Sequence, residues 1–244
     1  MKNILLIIQA RLGSSRFKKK VIRKITDLPS IVYQYKRIKE VKNDIKLVVA
    51  IPKKESEREL KEILKNNEIT FFEGDENNVF QRFLNCSRKF NSDILIRING
   101  DCPLISPSTI DRVINKFFIS PNIDYISTTL NESYPLGEHV ELFTSQAIEK
   151  ASNLQRTEED NEHVTPIFYR NQDVFKCTSL EKTFNYPSKL RLCIDYPEDL
   201  EFINEIANFF YPDKNFDLKE ILSFISKNKE LMNKNTQFKK SRII

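Results

Sequence analysis

Histidine and cysteine are too few and too scattered in this sequence to build a zinc site. There are two histidines, His139 and His163, and four cysteines, Cys86, Cys102, Cys177 and Cys193, with no C-x-x-C spacing among them. Reduced thiols in a cytoplasmic protein are the simplest reading. Long apolar runs are lacking as well. None approaches a membrane span, and residues 1–20 have no signal-peptide layout, so stable membrane insertion is not expected. Glycine is scarce: Gly13, Gly74, Gly100 and Gly137 all fall at predicted turns, each expected to serve a backbone conformation or a close approach. There is no Walker lysine pattern, no Rossmann glycine triplet and no internal repeat. The 244 residues, 40% hydrophobic and 30% charged, suit one large α/β domain with a substantial core.

Charge is unevenly spread. Residues 227–244 carry Lys227, Lys229, Lys234, Lys239, Lys240 and Arg242 against Glu230, a surplus equal to the whole chain's +5. The division is therefore a neutral domain over residues 1–226 and a basic, mobile tail. Such a tail either touches an anionic surface or simply solubilises a frayed terminus. No aromatic interleaving in it supports base stacking, and the body is neutral, so no nucleic-acid partner is expected.

The densest signal lies at the start. Ile4 to Ile8 reads as a buried parallel strand, and a turn follows at Gly13 and Ser14. From Arg11 to Lys24 the chain has seven basic residues and no acidic one. Backbone N–H groups of a Gly/Ser turn, ringed by Arg11, Arg16 and Lys20, can cradle a polyphosphate; the alternative is a solvated basic loop. Two later stretches bear on that choice. Asp93 to Ile105 is a strand running into Gly100-Asp101-Cys102-Pro103, and Arg191 to Asp195 reads as a second strand ending in an aspartate, followed by a helix start at Pro197. Taken singly, Asp101 and Asp195 could each be a cap for the next element.

Taken together and in this order, the three stretches resemble the cytidylyltransferases that activate acidic sugars, the KDO and N-acylneuraminate enzymes and above all their spore-coat-polysaccharide branch. The resemblance covers about residues 3 to 205. It implies a Rossmann-like nucleotide-diphospho-sugar transferase fold, a mostly parallel mixed sheet with helices on both faces. The reading along the chain agrees. Strands at 45–51, 69–72 and 93–99 alternate with helices at 29–41, 55–65 and 78–90. Beyond them come a helix at 107–118 with Ser106 as N-cap, a strand at 123–127, a loop into a strand at 134–143, a helix to Ala151 capped by Thr144, a polar acidic stretch at 155–162 and a strand at 175–180. In such sheets ligands sit beyond the carboxyl ends of the strands.

The resemblance also implies a mechanism and its residues. A sugar hydroxyl attacks the α-phosphorus of CTP in line and pyrophosphate leaves. Asp101 and Asp195 hold Mg²⁺, while Arg11 and Lys20 neutralise the departing phosphates. Gln9, Ala10, Arg11, Gly13, Ser14, Arg16, Lys20, Asn99 and Gly100 form the nucleotide side. His139, Glu141, Glu162 and His163 are the sugar side, with Arg97, which on a buried strand needs an acidic or phosphate partner and is either structural or substrate-binding. The expected product is the CMP-linked form of a nonulosonate or KDO-like sugar for surface glycans, and a homodimer is implied. Two departures stand out. Phe17-Lys18-Lys19-Lys20 replaces the branch's usual Leu-Pro-Gly-Lys and puts Lys19 where Gly or Asn would tolerate a left-handed backbone. Asn161 replaces the arginine of Arg-Glu-His-Val-Thr-Pro. Another nucleotide, a phosphorylated or non-acidic acceptor, or a binding protein without turnover are the alternatives.

Overall fold

The computed structural model describes residues 2–131, 134–181 and 185–234. The first half is β1 (Ile4–Gln9), a small hairpin of β2 (Lys24–Ile25) and β3 (Leu28–Pro29), then α1 (Ser30–Ile38), β4 (Lys46–Pro52), α2 (Arg58–Asn66), β5 (Phe71–Gly74), α3 (Val79–Phe90) and β6 (Ile94–Asn99). The second half is α4 (Pro107–Ile119), β7 (Tyr125–Ser127), β8 (Glu141–Thr144), α5 (Ser145–Ser152), α6 (Glu158–His163), α7 (Pro166–Arg170), β9 (Cys177–Ser179), α8 (Pro197–Phe210) and α9 (Leu218–Lys227). Among the described residues seven strands form one sheet in the order β5-β4-β1-β6-β8-β7-β9. The pairs up to β6 are parallel; β8 runs antiparallel to both its neighbours, and β9 is parallel to β7.

The alternation of β1 divides the core. Ile4, Leu6 and Ile8 face a layer built on α1, α2, α4, α8 and α9, whereas Leu5 and Ile7 face α3, α5 and α7. The expected mixed sheet with helices on both faces is therefore what forms. Among the described residues no helix is long and apolar enough to cross a membrane.

Several local expectations need correction. Arg191–Asp195 is not a strand. Among the described residues its only bridge is Arg191 to Leu136, because the Leu192 N–H donates to the Leu136 carbonyl (2.7 Å) while the Ile194 N–H donates to the Asp101 carbonyl (2.8 Å), two loops rather than one partner strand. The polar, acidic stretch at 155–162, given no element from the sequence, runs into α6, started by a capping box of Thr157 and Asp160. Ser106 precedes α4, but its hydroxyl donates to Glu138 (2.7 Å) instead of capping the helix. Thr144 does cap α5, accepting from the Ala147 N–H. Past residue 226 the packed chain continues through a 3₁₀ turn at Lys229–Lys234, with Leu231 buried and Lys234 paired to Glu205. Lys239, Lys240 and Arg242 lie outside the described residues.

Candidate active site

Strands β1 and β6 end side by side, with Gln9 opposite Asn99. There Gly100 crosses close over the end of β1. Its N–H donates to the Gln9 carbonyl (2.8 Å), and a Cβ at this position would come within 2.9 Å of that same oxygen. Gly13 shows no such need, since a Cβ there would meet nothing within 4 Å. The residue that takes the left-handed turn in the basic loop is Lys19, at φ 58°, the position where the spore-coat branch has glycine. The loop is closed by N–H donors of Ser14 and Lys19 to the Leu12 carbonyl. It is tethered from outside by Glu57, a buried carboxylate just before α2 that accepts the Leu12 N–H (2.9 and 3.2 Å). Burial raises the pKa of Glu57, and the Leu12 bond partly offsets it. Glu57 is a site residue that its charged surroundings in the sequence conceal.

After the turn, Lys20 points back to the strand ends. Its Nζ donates to Asp101 Oδ2 (2.6 Å) and to Asp195 Oδ1 (2.9 Å). Burial works against its charge, yet the two carboxylates outweigh it and hold the pKa above the ordinary lysine value. Asp195 shows the reverse: burial would raise it, but Lys20, Arg16 and Arg191 bring it down. Its two oxygens have separate partners. Oδ1 takes Lys20 and Arg16 (2.9 Å), and Oδ2 takes the buried Arg191 (3.1 Å). Arg191 is itself anchored on Asp199, whose Oδ2 also accepts the N–H groups of Asp195 (2.8 Å) and Tyr196 (3.0 Å). The capping work at the start of α8 thus falls to Asp199, and Asp195 is left to face the cleft.

The cleft has a volume of about 320 Å³. It brings together Gln9, Ala10, Arg11, Gly13, Ser14, Arg16, Lys20, Arg97, Asn99, Gly100, Asp101, His139, Glu162, His163 and Asp195. Glu141, expected on the sugar side, is not among its lining residues. It is buried behind the cleft, paired with Arg97 across the β6–β8 register, and it accepts the hydroxyls of Tyr125 (2.8 Å) and Thr165. Arg97 accordingly has the acidic partner its burial demands, and its Nε also reaches Gln9 (3.1 Å). Glu162 faces Arg11 at 3.9 Å. Arg82, Cys102 and Cys193 line the cleft without having been expected there. Burial drives both thiols well above their ordinary range, so they stay protonated at neutral pH.

Could these residues hold Mg²⁺? Asp101 Oδ2 and Asp195 Oδ1 converge on one cation, the Lys20 ammonium. Among the described residues no group of three or more His, Cys, Asp or Glu could hold a metal. Two convergent carboxylates without further protein ligands suit Mg²⁺, which keeps waters and takes substrate phosphates. The residues fit the ion.

Comparison with known proteins places the chain in a family. A family model described as cytidylyltransferase matches residues 5–231. The chain is 34% identical over 231 residues to protein MJ1063 of Methanocaldococcus jannaschii, covering 94% of this chain and 93% of that protein. It is 28% identical over 235 residues to the spore coat polysaccharide biosynthesis protein SpsF of Bacillus subtilis, covering 93% and 96%. A 3-deoxy-manno-octulosonate cytidylyltransferase of Chlorobium chlorochromatii matches about half of each chain (52% and 50%) at 31% identity. Among solved structures, a cytidylyltransferase from Leptospira borgpetersenii superposes with a TM-score of 0.89 at 27% identity, over 95% of this chain and 97% of that one.

Proposed function

The chain belongs to the cytidylyltransferase family, and we propose that it transfers CMP from CTP to an acidic sugar of the nonulosonate or KDO-like class, with release of pyrophosphate. One observation carries the reading: Lys20, Asp101 and Asp195, from three separate segments, meet at a single point on the wall of the cleft. Each charge there is balanced by another until a substrate enters, so a magnesium-bound triphosphate can exchange partners with the cluster rather than be buried against unpaired charge.

In this reading Asp101 and Asp195 hold Mg²⁺, and the bound ion screens the phosphates and lowers the pKa of the attacking hydroxyl. Lys20, released from the carboxylates, neutralises the triphosphate, with Arg16 and Arg11 at the loop. Arg191 holds Asp195 Oδ2 and so keeps Oδ1 turned to the cleft. Gln9 and Asn99, at the two strand ends, offer polar contacts to base or ribose. His139, Glu162 and His163 line the cleft where the acceptor would lie. The spore-coat relative supports a role in surface polysaccharide synthesis. The reading includes a cytoplasmic enzyme and a homodimer, for which exposed Phe209 and Tyr211 supply apolar surface.

Pyrophosphate release with Mg²⁺, the four NTPs and a panel of acidic and neutral sugars tests this. Release with CTP and one 2-keto sugar acid is the expected result. Release with another NTP, or with a neutral or phosphorylated acceptor, would replace the substrate assignment, and absence of nucleotide binding would end the reading.

A further inference from the structure

Most arginines of the cleft have an acidic partner. Arg16 meets Asp195, Arg97 meets Glu141, and Arg11 faces Glu162. Arg82, on the first turn of α3, is different. It lines the same cleft and is 1% exposed, yet among the described residues it has no carboxylate partner. Its Nη1 donates to the Asp75 carbonyl (2.6 Å), and its Nε is buried with no partner. Burial, with Arg11 nearby, brings its pKa down to about 10, so it is charged at neutral pH.

A buried guanidinium satisfied by a single backbone carbonyl is expensive to keep. Packing holds it there nonetheless. A Cβ at residue 74 would come within 2.7 Å of Arg82 Cγ, so the side chain fits its slot because that residue is glycine. It packs against Gly74 and Asp75 at the end of β5, an edge strand that β4 and β1 separate from β6, whose end leads into Asp101. Arg82 therefore belongs to the flank of the cleft away from the aspartate pair.

We propose that Arg82 is a substrate-binding residue whose unused N–H groups receive the carboxylate of the acceptor. The assignment rests on the cleft being a nucleotide and sugar-acid site. The triphosphate has Lys20, Arg16, Arg11 and the ion held by the two aspartates to neutralise it, which leaves the acceptor's carboxylate as the oxyanion still to be matched. A guanidinium edge meets a carboxylate with two parallel hydrogen bonds, a geometry lysine cannot reproduce.

Arg82→Gln and Arg82→Lys, compared with wild type by thermal melting, CTP calorimetry and steady-state kinetics, test the assignment. For Arg82→Gln the acceptor KM rises about 10- to 100-fold, the scale of a lost charged hydrogen bond. The CTP Kd stays within about twofold, and Arg82→Lys falls between. An arginine that merely braced the Asp75 turn would lower stability without splitting the two substrates. Unchanged acceptor KM, or a weaker CTP Kd with acceptor KM unmoved, overturns the assignment. If Arg82→Gln does not fold, Arg82→Lys decides, and an acceptor KM equal to wild type counts against the proposal. A wild type inert with every sugar acid overturns the function instead. Titration of 3-deoxy-manno-octulosonate into wild type and variant then judges Arg82, equal affinities refuting it.

Discussion

The two ion-pair clusters around the cleft are built from similar groups and do opposite things. Around Arg97 and Glu141 every partner is protein, both side chains are buried, and the pair joins β6 to β8 where the sheet changes direction. Around Lys20 the pairs are partly open to the cleft, and Lys20 is shared between two carboxylates from different segments. The first cluster is saturated and holds the sheet together. The second can trade its internal cation for another without leaving a charge stranded. Similar residues thus become scaffold or reaction centre according to whether a substrate can replace one of the partners.

The comparison can be broken most directly at the aspartates. Asp101→Asn or Asp195→Asn is expected to lower turnover about 10³-fold in a pyrophosphate-release assay. Loss of only a few-fold would remove the metal assignment. On the scaffold side, Glu141→Gln leaves Arg97 buried without its counter-ion. Denaturant unfolding should show a loss of about 3 kcal/mol, with the acceptor KM unchanged while the protein stays folded. Arg191→Met combines the two effects: a similar loss of stability, about 3 kcal/mol, and a higher Mg²⁺ concentration for half-maximal activity, because Asp195 loses its anchor.

A stability effect of similar size depends on pH. Glu138 reaches from the 134–139 loop to Ser106, just past Asp101, through Oε1 (3.0 Å to the N–H), while its Oε2 is buried without a partner. Burial raises its pKa to about 7, against the pull of the Ser106 bonds. The unfolded chain gives up this proton at lower pH than the folded one. Stability from this group is therefore complete below the ordinary carboxylate pKa and is lost as pH rises to about 7. Unfolding at pH 5 and pH 8 should show that decline, roughly 3 kcal/mol, flattened in Glu138→Gln. The smallest change is Lys19→Gly, which relieves the left-handed backbone. Its expected gain is about 1 kcal/mol in melting experiments, less whatever the exposed Lys19–Glu59 pair contributes.

What was legible in the sequence follows the same division. The proposed reaction centre lies in short motifs at chain turns, where Gly-Asp-x-Pro after an apolar strand and a run of seven cations stand out locally. The three β–α alternations of the first half and the strand that follows them were visible for the same reason. The scaffold depends on register, which is not local. Arg97 announced its need for an acid, but only the antiparallel pairing of β6 with β8 identifies that acid as Glu141, 44 positions away. Glu57 gave no signal because a carboxylate in a charged stretch looks like any solvated one. Arg191–Asp195 has the apolar alternation of a strand, yet its hydrogen bonds go to two different loops. Asp199 hid as an ordinary acidic residue in a helix start, although it fixes both Arg191 and the backbone of Asp195.

The central claim is that Asp101 and Asp195 present a magnesium-nucleotide site once Lys20 lets them go. Calorimetric titration of CTP into wild type and Asp195→Asn, with and without Mg²⁺, tests it most directly. The account predicts that Mg²⁺ tightens CTP binding at least about tenfold in wild type and hardly at all in the variant. Binding of CTP that ignores Mg²⁺ in wild type, or an equal Mg²⁺ effect in both proteins, would contradict it.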